Sequence, residues 1–172
     1  MKRKLSVRDA VERAAVVFEM NAETKAVLGL GMSAGLFGAG EVLPDISDRS
    51  DIRARFLYEW RGFAHAAVLN ALMEHAPGVT VLEYLRATTE LLGRLGYAAE
   101  DIEGFTDTAF KAYSDSFINK KPEECPRIFF DRLSGVPLEK ADKHAAAVIS
   151  GTMAMLTAAA LDVFEKYEYM TE

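Results

Sequence analysis

The chain has 172 residues, half of them hydrophobic and 27% charged, with a net charge of −6 and a single cysteine. Such apolar content excludes a disordered chain, and one cysteine excludes a disulfide scaffold. The balance of 26 acidic to 20 basic residues speaks against a nucleic-acid partner, which selects a basic surface.

Alanine occurs 26 times, so much of the apolar count is small, a composition suited to closely packed helices. The length fits a single domain over 1–172, able to bury roughly 70% of the surface of the unfolded chain. The start, Met1-Lys2-Arg3-Lys4-Leu5, resembles the charged opening of a secretory leader. Arg8, Asp9, Glu12 and Arg13 interrupt the apolar stretch a leader needs, so the expectation is a cytoplasmic protein.

Along the chain, Ser6 with Asp9 reads as an N-cap followed by an acid in the first turn. Val7, Ala10, Val11, Ala14, Val17 and Phe18 then repeat at helical steps, giving a first helix over 7–20. A second helix is expected from Ala22 through the glycine-rich stretch to Gly40, although each interior glycine costs about 1 kcal/mol relative to alanine. The segment 41–50 reads as a loop. A long helix follows over 51–76, stopped by Pro77-Gly78. Thr80 with Glu83 forms a capping box for a fourth helix ending at Gly96. The clearest stripe, Ile102, Phe105, Ala109, Phe110, Tyr113 and Phe117, marks a fifth helix over 99–119. A short sixth helix holds Ile128, Phe129, Phe130 and Leu133, and a seventh runs over 138–167. No strand is expected.

The fold class is therefore an all-α compact bundle of six or seven helices, with 51–76 and 138–167 as two central, largely buried helices. Three uncharged runs, 26–40, 62–73 and 145–161, are shorter than the about 20 strongly apolar residues a bilayer span requires. They read as buried helices, with no membrane partner. Gly31, Gly35 and Gly38 form one stripe of small residues, and Ala147, Gly151, Ala154 and Ala158 form another. Such stripes let backbones approach closely, so these two helices are expected to cross at short distance, within the chain or across a dimer.

The motifs exclude more chemistry than they suggest. Gly29, Gly31 and Ala34 fit a dinucleotide fingerprint only if a strand precedes and a parallel sheet surrounds them, and neither is in view. No Gly-Lys-Ser/Thr is present for a P-loop. No Glu-x-x-His pair occurs for a helical di-iron site, and Glu41, Asp45, Asp48 and Asp51 lack the spacing of a calcium loop. No metal or cofactor is specified. A helix-turn-helix would use the glycine-rich helix for recognition, which carries no side chain for base edges. Cys125 has no neighbouring base in sequence. Lys120, Lys121 and Arg127 read as a solvated turn more readily than as an anion site.

One constellation stands apart. Within the long helix, His65 shares a face with Tyr58 and Gly62, and the absent side chain at Gly62 is expected to leave a notch between the two rings. Tyr58, Glu59, Gly62, His65 and Asn70 are the candidate ligand-binding residues. His65 reads first as a core histidine with satisfied nitrogens, second as part of a small-molecule or haem pocket, and third as catalytic.

The first expectation is a non-catalytic bundle acting through protein–protein contact, self-associating as a homodimer. The alternative is a small-molecule or cofactor-binding, sensor-like domain with a pocket near Tyr58 and His65, taking a small apolar ligand. An enzyme of unrecognised type comes after that.

Overall fold

The computed structural model describes residues 1–22, 49–134 and 143–172, with backbone alone at 49–53, 134, 144 and 145. The chain is an all-α compact bundle with one very small sheet. Helix α1 spans Val7–Ala22 and begins as its sequence dictates. The Asp9 amide donates to Ser6 Oγ at 3.1 Å, and the Ser6 hydroxyl donates to Asp9 Oδ2 at 2.8 Å.

Helix α2, Arg49–His75, is the axis of the molecule. From Phe56 to Leu72 every residue except Leu57, Tyr58 and Asn70 is buried. Around it pack α1, α3 (Gly78–Arg86), α6 (Lys111–Ile118), α7 (Cys125–Ser134) and α8 (Lys143–Glu165). Among the described residues, one cluster of buried side chains draws on every helix, with Phe18, Phe56, Trp60, Phe63, Phe105, Phe129 and Phe164 at its centre. Burying each such ring contributes about 1.5–3 kcal/mol. The Trp60 indole donates to the Asn21 carbonyl at 2.8 Å, tying the end of α1 to α2.

Several elements depart from the sequence reading. The fourth helix is two, α3 and α4 (Thr88–Arg94), separated at Ala87, whose ψ of −6° tightens the turn. Thr80 does not cap it. Pro77, pre-set at φ −66°, occupies the N-cap, the helix starts a turn early, and Thr80 is carried into the buried interior. Helix α4 ends in a left-handed glycine, Gly96 at φ +94°. There the Tyr97 amide donates to the Leu92 carbonyl and the Gly96 amide to that of Gly93, a Schellman closure. The fifth helix is interrupted between α5 (Ala99–Phe105) and α6 by a π-helical turn at Thr106–Phe110.

Two strands were not expected. β1 (Arg3–Leu5) pairs in parallel with β2 (Tyr167–Tyr169), Arg3 opposite Tyr167 and Leu5 opposite Tyr169. Three-residue strands carry too little alternation to show in a sequence, and β2 takes Tyr167, the last residue assigned to the seventh helix.

Helix α8 is not enclosed as α2 is. Its buried residues, Ile149, Met153, Leu156, Ala160 and Phe164, form one stripe. Ala147, Gly151, Ala154 and Ala158 all lie on the exposed side, beside Met155 at 73% exposure. A Cβ added at Gly151 meets nothing within 4 Å, so the close contact expected there is not made by the described residues. The partner stripe, Gly31, Gly35 and Gly38, lies outside them, as does the second helix as a whole. Ala146–Glu165 is long and apolar enough to cross a membrane, and only 28% of it is buried.

Candidate functional site

Within the largely buried stretch of α2, Phe56 to Leu72, Glu59 is the one carboxylate. Its nearest carboxylates along the chain are Asp51 and Glu74. A buried charge must be paired and hydrogen-bonded to be tolerated, and the fold meets that demand from two distant elements. Tyr113 of α6 donates to Glu59 Oε2 at 2.9 Å, and Arg132 Nε of α7 donates to the same oxygen at 2.8 Å. The Glu59 side chain is 7% exposed and that of Arg132 31%. Burial is the largest single influence on Arg132 and works against its charge, but the hydrogen bond to Glu59, the Glu59 charge and the nearby Tyr113 and Tyr58 together outweigh it and hold the guanidinium pKa above its ordinary value. Tyr113 is pushed well above the usual tyrosine range, first by burial and then by the Glu59 charge.

This pair faces a cavity of about 410 Å³ lined by Ala54, Arg55, Tyr58, Glu59, Tyr97 and Arg132. The two rings in its wall are held in place. Thr108 Oγ1 spends its proton on the Gly104 carbonyl, so the Tyr58 hydroxyl is the donor in their 2.8 Å bond. Tyr58 also packs edge-on to Phe105 at 5.4 Å. Tyr97, set by the Gly96 turn, accepts from Arg61 Nη1 at 3.1 Å while that guanidinium lies 5.4 Å above its ring. Tyr58 and Tyr97 meet at a centroid distance of 6.5 Å.

The five sequence candidates do not share one place. Tyr58 and Glu59 line the cavity. Gly62 leaves no notch, because the π-helical turn presses Ala109 against it. A Cβ there would stand 2.9 Å from the Ala109 Cβ and 3.0 Å from its carbonyl carbon. His65 is inside the core, 1% exposed. Its Nδ1 is 2.8 Å from the Tyr84 hydroxyl and its Nε2 3.1 Å from Thr88 Oγ1, so a neutral ring uses both nitrogens in either tautomer. Phe18, Tyr84 and Phe110 surround it. Burial pushes its pKa down to about 3. Asn70 faces a separate cavity of about 220 Å³ beside Ser114 and Lys120.

Other candidates have ordinary roles. Cys125 is buried, which pushes its thiol up to about 12, away from nucleophilic chemistry. Lys120 takes the left-handed position ending α6, at φ 57°, and pairs with Glu74 at 2.6 Å. Lys121 lies 3.8 Å from Glu124. His75 sits half-buried in the last turn of α2, where a cation would complement the helix dipole. Glu41, Asp45 and Asp48, the Asp51 and His144 side chains, and the glycine string 29–34 lie outside the described residues. Among the described residues no three His, Cys, Asp or Glu side chains gather as metal ligands.

Sequence reasoning missed Tyr97, Tyr113 and Arg132. The one available signal was the isolated Glu59, which calls for a buried cation without saying which.

A second surface feature is a groove of about 560 Å³ between α1 and α8, with Val16, Met20, Leu156 and Ala159 in its wall and Arg3 and Arg13 also lining it. Comparison with protein-family models, curated proteins and solved structures finds no match to this chain.

Proposed function

We propose that the protein is a non-catalytic helical bundle acting through protein–protein contact, and that its α8 face forms a homodimer. One observation carries this reading: Ala147, Gly151, Ala154 and Ala158 are all exposed on a helix with no charge between 145 and 161. The spacing of four, three and four is the same in both directions. A two-fold axis between Thr152 and Met153 therefore sets Ala147 opposite Ala158 and Gly151 opposite Ala154, as an isologous contact needs. Small residues on both sides let the helix axes come to the short end of the usual 8–10 Å.

The test is sedimentation of the wild type and Ala154→Glu, with circular dichroism as the control. The expected result is a wild-type dimer and a fully helical monomeric variant. A monomeric wild type, a variant that still dimerises, or a monomer that floats with lipid vesicles would each overturn the proposal.

A second reading, a small-molecule-binding domain, is supported by the cavity at Tyr58 and Glu59. The ion pair of buried Glu59 and half-buried Arg132 opens there onto a space of ligand size between fixed aromatic rings.

A further inference from the structure

The Glu59–Arg132 pair leaves half of each partner unused. Both hydrogen bonds to Glu59 end on Oε2, and Oε1 has no hydrogen-bond partner among the described residues. Arg132 spends only Nε on Glu59, so neither terminal nitrogen of its fork is bonded by a described residue. A purely structural Arg–carboxylate pair gains most from two parallel bonds. Here the pair is joined at one corner, and the remaining donors and acceptor belong to residues lining the cavity.

The unused atoms specify what fits. Arg132 offers forked N–H donors for a carboxylate, with Arg55, exposed in the same lining, as a second cation. Glu59 Oε1 offers an acceptor for an ammonium or another N–H donor. Because Glu59 and Arg132 touch at 2.8 Å, the ligand must carry its own acid and base side by side. A carboxylate and an ammonium on one carbon meet that condition, and the four charges then alternate around a closed square. Longer separations would place one ligand charge against the wrong partner. The rings of Tyr58 and Tyr97 remain for the ligand's side chain, in a cavity of about 410 Å³.

We propose that this cavity binds a free α-amino acid with an aromatic or large apolar side chain, its carboxylate on Arg132 and Arg55 and its ammonium on Glu59 Oε1. The inference rests on the small-molecule reading and is independent of the dimer.

The test is titration calorimetry on the full chain with L-phenylalanine, L-phenylalaninamide, which lacks the carboxylate, and 3-phenylpropanoate, which lacks the ammonium. L-phenylalanine should bind, and each truncated compound should bind at least tenfold more weakly. Arg132→Lys, which keeps a cation for Glu59 but removes the fork, and Arg55→Gln at the exposed position should each weaken L-phenylalanine binding severalfold with the circular-dichroism spectrum unchanged. Equal binding of all three compounds, or binding unaffected by both variants, overturns the assignment. A thermal-shift panel of nucleosides, sugars, fatty acids and organic anions, read on the wild type and Tyr97→Ala, tests the underlying reading separately. Panel hits lost in Tyr97→Ala with L-phenylalanine silent would overturn the amino acid and keep the pocket. No hit from any compound would overturn both.

Discussion

Helices α2 and α8 look alike as sequences and end up in opposite environments. Each contains a long uncharged run, 62–73 in one and 145–161 in the other. Yet α2 is buried almost all round, whereas α8 keeps an open face from Ala147 to Ala159. The difference lies in what accompanies the run. α2 carries Phe56, Trp60 and Phe63, large rings that reach neighbouring helices, and polar groups such as Glu59 and His65 to which those helices hydrogen-bond. On α8 the large side chains, Ile149, Met153, Leu156 and Phe164, lie on one stripe, and the small residues opposite remove little area from water. Lack of charge therefore permits burial, but reach and hydrogen-bond partners bring it about.

The strongest way to break the α2 arrangement is acid. His65 is neutral in the fold with its pKa down at about 3, against 6.5 when free. Above pH 6.5 neither state gains a proton. Between pH 6.5 and 3 the unfolded chain takes one up and the folded chain does not, so stability falls with pH. The expected loss is on the order of 5 kcal/mol. Denaturant titrations across that range should show it, and in His65→Gln the acid limb should be shallower. An unchanged limb would place the acid sensitivity elsewhere.

Next in size is Arg132→Met, which leaves Glu59 buried with only Tyr113. About 3 kcal/mol should be lost at neutral pH. Glu59→Leu combined with Arg132→Met should cost less than the two single changes together, because no uncompensated charge remains. Additive costs in a double-mutant cycle would show that the two groups are not coupled.

A smaller effect tests the contrast between glycines. Gly62→Ala forces a methyl against the Ala109 backbone and should destabilise by about 1–3 kcal/mol. Within one chain Gly151→Ala meets no atom within 4 Å and replaces a poor helix former with the best, so in the monomeric Ala154→Glu background it should stabilise by about 0.5–1 kcal/mol. Opposite signs in paired thermal melts would sharpen the division between the closed and open helix. Equal signs would remove it.

Parts of this molecule were readable because the information is local. The Ser6–Asp9 cap, the stop at Pro77, the Gly96 termination and the stripe from Ile102 to Phe117 each rest on residues within a few positions of one another. Thr80 shows the limit of such reading. A capping pattern was present, but Pro77 three residues earlier started the helix first, and Thr80 became core. At the candidate site Tyr58 and Glu59 were visible, while their partners were not. Arg132 is 73 residues from Glu59 and Tyr113 is 54 away. The Gly62 notch was a sound inference about missing volume. The π-helical turn, which carries no mark in the sequence, supplied the methyl that fills it.

By itself the sequence determined the all-α class, most helix positions and, in one long helix, a histidine read first as core beside a candidate acid, Glu59. These follow from the 3.6-residue period, the caps and the breakers, which act over a turn or two of chain. Only the tertiary structure decided that His65 is sealed between Tyr84 and Thr88, that Glu59 shares a cavity with Arg132 and Tyr97, that β1 meets β2, and that α8 keeps its small-residue face open. Those outcomes depend on which surfaces meet once the chain closes on itself, a matter of shape and distance between segments that no local pattern encodes.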